Sequence, residues 1–203
     1  MKKTLILFTL LIGVTLAKAQ FELPVCQPKF ILITQPKIQE HLKLTDEQKA
    51  KLKSVMDGVV EHDGEGRTMI KLSGDTDLDA LNKDSLAVLN PDQAKRFSEL
   101  YAQKNGYIAL SLKEYADKIG VTEAQKSKLD EVWNSHREKM QAFFMENSPG
   151  SRELKIERED MKKIDDETKK RAEAVLTEEQ VAKWKTLLGA TYEFEDDKLQ
   201  SKF

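Results

Sequence analysis

The sequence predicts an all-α protein, an elongated helical bundle made by tandem duplication of a three-helix unit. Three observations predict it. Four copies of one pentapeptide pattern punctuate the chain: Leu44-Thr45-Asp46-Glu47-Gln48, Leu89-Asn90-Pro91-Asp92-Gln93, Val121-Thr122-Glu123-Ala124-Gln125 and Leu176-Thr177-Glu178-Glu179-Gln180. In each, a Thr or Asn precedes a Gln by three residues and follows an apolar residue, which is the sequence form of a helix capping box. The chain also repeats at long range. A shift of 77 lays Thr45, Gln48, Lys49, Lys51, Leu52 and Val55 onto Thr122, Gln125, Lys126, Lys128, Leu129 and Val132, and a shift of 87 lays Val88, Leu89, Gln93 and Leu100 onto Val175, Leu176, Gln180 and Leu187. Finally, no segment sustains a two-residue alternation, and 192–194 is the sole candidate strand.

Residues 1–19 read as a secretion signal: Lys2 and Lys3, an apolar run from Leu5 to Leu16, then Ala17-Lys18-Ala19 before Gln20. The run is too short to span a bilayer. The small residues fit peptidase cleavage near Ala19-Gln20, which places the mature chain in the periplasm or outside the cell; a retained anchor is the competing reading. Removing Lys2, Lys3 and Lys18 moves the formal charge from −2 to −5, a mildly acidic balance without the footprint of a nucleic-acid binder. Nothing later approaches a membrane span. With Cys26 as the one cysteine, no internal disulfide forms and stability must come from packing. Residues 20–28 form an N-terminal arm, and Cys26 is expected to be a thiol on that loose arm, open to intermolecular pairing.

The first unit spans 29–105 and the second 106–194. Each holds a lead-in helix, a capped helix, a variable connector and a second capped helix. The lead-in helices are predicted over 36–42, with Pro36 suited to a first turn, and over about 107–119. Apolar stripes follow each cap: Leu52, Val55, Met56, Val59 and Val60; Phe97, Leu100 and Tyr101; Leu129, Val132, Trp133, His136, Met140, Phe143 and Phe144; Val181, Trp184, Leu187 and Leu188. Leu154, Met161, Ile164, Thr168, Ala172 and Val175 predict a long charged helix before the last cap, and Gly64, Gly66 and Gly74 break its counterpart in the first unit. Asn105-Gly106, Ser148-Pro149-Gly150 and Gly189 read as helix stops. Residues 195–203 form a charged tail, expected to be disordered.

The recurrent Leu-Thr-x-x-Gln element, best kept in Leu44, Thr45 and Gln48 and in Leu176, Thr177 and Gln180, resembles the Spy/CpxP-like LTxxQ family of bacterial periplasmic proteins. The copies around Leu89, Asn90 and Gln93 and around Val121, Thr122 and Gln125 are degenerate forms. The resemblance implies an ATP-independent chaperone or envelope-stress accessory that binds unfolded or partner polypeptide on a concave helical surface, without a cofactor. Smaller relatives carry two motifs and dimerise into a cradle. Four motifs suggest that one chain builds what those relatives build from two, leaving monomer and homodimer both open. The competing reading is a structural or regulatory envelope protein with one dedicated partner.

Catalytic patterns find little support. There is no His-Glu-x-x-His, no Gly-x-Ser-x-Gly and no Walker loop, and Gly64-Glu65-Gly66 lacks the third glycine of a dinucleotide fold. His41, His62 and His136 are the three histidines, and only His136 falls on an apolar stripe, where packing is the favoured role. Asp75-Thr76-Asp77-Leu78-Asp79 opens like a calcium loop, but Ala80 stands at the glycine turn and Leu86 where a bidentate Glu is required. A turn with Asp77 or Asp79 capping a short helix is favoured instead, and no metal site is predicted. Met56, Met140 and Met161 fall on stripes and read as core; Met69, Phe144 and Met145 are the candidates for client contact.

Overall fold

The computed structural model describes residues 26–62, 68–70, 76–147 and 158–194. The signal segment, most of the arm, the first-unit glycines 64, 66 and 74, the 148–150 stop and the charged tail lie outside them. The fold is all-α, apart from one hairpin of three-residue strands. Its described residues fall into two compact units, one holding Pro28–Lys95 and the other residues 26–27 together with the chain from Arg96 onward.

The first unit opens with α1 (Lys29–Ile33) and α2 (Pro36–His41), separated by an extended Gln35 with Pro36 at the first helical position. Capped α3 (Asp46–Val55) follows, then strands β1 (Val60–His62) and β2 (Thr68–Ile70), and then α4 (Leu78–Leu86). Helix α5 (Pro91–Asn105) begins in this unit. Phe30, Leu32, Ile33, Ile38, Leu52, Met56 and Leu81 form its core, with α1 and α3 packed on α4. The Phe30 N–H is satisfied by Asn82 Oδ1 at 3.0 Å, and Asp77 caps α4 by accepting from the amides of Asp79 and Ala80, as the acid spacing predicts.

The hairpin corrects the expectation of no strand in this region. Val60 faces Ile70, Glu61 faces Met69 and His62 faces Thr68 in antiparallel register. The β-branched Val60, Thr68 and Ile70 suit the extended chain, but three residues a strand are too few to display alternation. The other candidate, 192–194, is not a strand: the Tyr192 N–H bonds Gln103 Oε1 at 2.8 Å, so its amide is spent on a side chain.

The second unit follows with a 3-10 helix, η1 (Gly106–Ser111), then α6 (Lys113–Ile119), α7 (Glu123–Asn147), α8 (Arg158–Val175) and α9 (Glu178–Leu187). The single lead-in helix expected over 107–119 is therefore two pieces, parted at Leu112 with φ −87° and ψ 125°. This extended residue re-aims the chain, and Ala109, Leu110, Tyr115 and Ala116 are all buried. Tyr115 stacks on Tyr101 with ring centroids 6.1 Å apart and meets Trp184 edge-on at 6.3 Å, while Tyr107 stacks on Trp184 at 5.4 Å. Aromatic contacts of this kind are worth about 0.5–1.5 kcal/mol each beyond their buried area.

These contacts explain why the division between units falls after Lys95 rather than after Asn105. Phe97 and Tyr101 of α5 belong to the aromatic core, and Gln103 Nε2 donates to the carbonyls of Leu188 and Ala190 just past α9. The arm is also corrected. Cys26 is buried, its Sγ 3.3 Å from Ile108 O and 3.5 Å from Ser111 Oγ, and Gln27 is held on both sides by Asn105 Oδ1 and the Tyr101 hydroxyl. Hydrogen bonds with residues 74 to 85 positions away, one to a backbone carbonyl and three to side chains, hold residues 26 and 27 in place, so this end of the arm is not loose.

Backbone bonds recur between the units at the shifts read from the sequence. Gln35 N–H to Leu32 O matches Leu112 N–H to Ala109 O, and Leu44 N–H to Gln39 O matches Val121 N–H to Ala116 O, each 77 residues on. Leu89 N–H to Leu86 O matches Leu176 N–H to Glu173 O, 87 residues on. The units differ most in length between their two boxes: α3 and α4 have 10 and 9 residues, whereas α7 and α8 have 25 and 18.

Candidate functional site

All four pentapeptides start helices, and all four form the reciprocal box. Thr45 Oγ1 accepts from the Gln48 amide while Gln48 Oε1 accepts from the Thr45 amide, at 3.2 and 3.0 Å. Asn90 with Gln93, Thr122 with Gln125 and Thr177 with Gln180 repeat the exchange. The preceding apolar residues Leu44, Val121 and Leu176 are buried and Leu89 is half-buried, so each box is seated on the core by its first residue. Up to this point the chemistry is local and legible in the pattern.

The boxes also join in pairs. Gln48 Nε2 donates to Gln93 Oε1 at 2.7 Å, and Gln93 Nε2 donates back to Gln48 Oε1 at 3.2 Å. Gln125 and Gln180 make the same ring, at 2.7 and 2.9 Å. Each amide also donates to the backbone just before its partner's box: Gln48 to Val88 O, Gln93 to Leu42 O, Gln125 to Val175 O and Gln180 to Gly120 O, at 2.7 to 3.1 Å. One clasp thus ties together the starts of two helices and the ends of the two that precede them.

A glutamine amide offers two donor hydrogens and an oxygen with two lone pairs. In each clasp both donors are used, and the oxygen accepts from its own cap and from the partner amide. No hydrogen-bonding capacity is left for a ligand, so the motif glutamines hold each unit together internally rather than contact a client. The pairing was missing from the sequence reading, although the chain carried a signal for it. A capping box accepts Glu as readily as Gln. A carboxylate has no N–H to give to a partner or a carbonyl, and every box here carries Gln.

Of the client-contact candidates, Met145 lies near the end of α7 and is 71% exposed. Met69 falls in β2 and Phe144 in α7, but their side chains lie outside the described set. Met56 is buried, while Met140 and Met161 are half-buried. His136 is half-buried, with Nδ1 3.0 Å from Thr168 Oγ1. The Thr168 hydroxyl itself donates to Ile164 O, so its oxygen accepts from the imidazole. Burial pushes the His136 pKa below its ordinary 6.5, and the nearby Asp165 charge pulls the other way. This is the packing role predicted for it. The hydroxyls of Tyr101, Tyr107 and Tyr115 are all pushed up, chiefly by burial, and stay protonated.

Among the described residues no group of three or more His, Cys, Asp or Glu is arranged to hold a metal ion, and no helix is long and apolar enough to cross a membrane. No protein-family model, curated protein or solved structure matches the chain.

Proposed function

We propose that this chain is an exported, non-catalytic helical binding protein of the Spy/CpxP-like kind, which captures unfolded or partner polypeptide in the bacterial envelope after loss of residues 1–19. The observation that carries the reading is the paired clasp. It gives the Leu-Thr-x-x-Gln element a purpose, that of holding rigid units whose outer faces are left for binding, and the same clasp in both units supports descent by duplication. In the second unit the longer α7 and α8 extend the scaffold, with Met145 exposed near the end of α7. An aggregation assay with a reduced model client tests the reading. The mature chain, residues 20–203, should protect at equimolar ratio; no protection would count against capture. Light scattering coupled to size exclusion should return a monomer if duplication stands in for dimerisation.

A second reading has its own support. Met145 is the only exposed large apolar side chain among the described residues, and a single such contact suits one dedicated partner better than broad capture. That alternative predicts one dominant protein in envelope pull-downs, lost when Met145 is changed to Gln.

A further inference from the structure

The second unit holds a cleft of about 510 Å³ between the end of α5, η1, α8 and α9. Ile108 and Leu188, both half-buried, give it an apolar lining, and buried Tyr107 backs it, fixed by its stack on Trp184 and by its hydroxyl, which donates to Glu173 Oε1 at 3.0 Å. Four exposed charges also line it: Asp165, Asp166 and Lys169 on α8, and Lys185 on α9. None of the four makes an ion pair or hydrogen bond with a described residue.

Elsewhere on the helices some lysines pair with an acid one turn back and others do not. Lys126 pairs with Glu123, Lys163 with Asp160 and Lys183 with Glu179, each three or four residues apart, at 2.5 to 2.9 Å. Lys169 has Asp165 and Asp166 at the same spacings, in the favourable order with the acid first, and leaves both unpaired. The cleft therefore presents charges of both signs beside an apolar lining. A phosphate or a polyanion would meet Asp165 and Asp166, and a polycation would meet Lys169 and Lys185. The volume lies in the range of sites that enclose a small ligand or a few residues of chain.

We infer that the cleft binds a short extended polypeptide segment in which an apolar side chain is flanked by charges of opposite sign. This rests on the binding reading above and names the chemistry of what is bound. Acidic side chains of the segment meet Lys169 and Lys185, basic ones meet Asp165 and Asp166, and the apolar side chain covers Ile108 and Leu188.

The test is an NMR titration of the mature protein with the blocked peptide acetyl-Glu-Lys-Leu-Glu-Lys-amide. The two tryptophans give an internal control, because Trp184 backs the cleft and Trp133 does not line it. Saturable shifts are expected at the Trp184 indole and not at Trp133. The double variants Lys169→Gln with Lys185→Gln and Asp165→Asn with Asp166→Asn should each weaken binding by about fivefold, as should peptides whose charges are all Glu or all Lys. No saturable shift, double variants that bind the peptide as tightly as the unchanged protein does, or uniformly charged peptides that bind as tightly as the mixed one would overturn the inference. Peptide binding without protection from aggregation would leave the cleft standing and sink broad capture; protection without peptide binding would do the reverse.

Discussion

Lys43 and Gly120 occupy the same position in the two units, one residue before the apolar residue of a box, and both are left-handed, with φ +54° and +75°. Gly120 O accepts from Gln180 Nε2 at 2.7 Å, and Lys43 O lies 3.4 Å from Gln93 Nε2, where Leu42 O is the nearer acceptor. The left-handed turn closes the lead-in helix and aims its carbonyls at the clasp. Glycine adopts that conformation without cost, whereas a side chain at Cβ does not.

The second unit therefore has the glycine its turn requires and the first does not. Lys43→Gly should stabilise the first unit by up to about 1 kcal/mol, and Gly120→Ala should destabilise the second by about 1 kcal/mol. A Cβ at Gly120 meets nothing within 4 Å, so the penalty is one of backbone conformation alone. Hydrogen-exchange protection of the amides in α3 and α7 reads the two units separately. Equal and negligible effects would contradict the shared role of the two positions.

The His136 contact makes the second unit sensitive to pH. Burial depresses the folded pKa of His136 below 6.5, so the folded state binds fewer protons than the unfolded chain. Its contribution is intact above 6.5 and is lost as pH falls from there through the folded value. Asp165 is pushed above its ordinary 3.8, chiefly by burial, and works in the opposite sense: stability is gained as pH falls through its raised value. That burial is only partial, with one side of Asp165 open to solvent, so screening makes its contribution the smaller. Both tryptophans, Trp133 and Trp184, lie in this unit, and their fluorescence during thermal unfolding should show a midpoint that falls as the pH is lowered below 6.5. His136→Gln should flatten that slope, and an unchanged slope would contradict the assignment.

Cys26 supplies a test of the anchored arm. A thiol held against Ile108 O and Ser111 should react with a disulfide reagent at least about a hundredfold more slowly in the native mature protein than in urea. Equally fast labelling would restore the loose-arm reading.

What the sequence made legible was local. Each helix start depends on four consecutive residues, and the cap of α4 was narrowed to Asp77 or Asp79, of which Asp77 caps it through partners two and three residues away. What it hid depended on distant partners. The burial of Cys26 requires Ile108 and Ser111, 82 and 85 residues on. The clasps join side chains 45 and 55 residues apart, and only the choice of Gln over Glu betrays them. The break at Leu112 is an intermediate case. Its counterpart Gln35, extended with ψ 126°, is announced by Pro36, but Lys113 follows Leu112 and gives no such warning. The long-range repeat, carried through that position, would have supplied it.

The clasp is tested most directly by a double-mutant cycle on Gln125 and Gln180, followed by tryptophan fluorescence in urea so that the second unit alone is read. Each single change to Ala breaks the same ring and strands one backbone carbonyl, so each should cost about 2–3 kcal/mol; the double variant breaks that ring only once but strands both carbonyls, and should cost less than the sum by a coupling of at least about 1 kcal/mol. Costs that simply add, to within about 0.3 kcal/mol, would mean that the two glutamines act independently and would contradict the clasp.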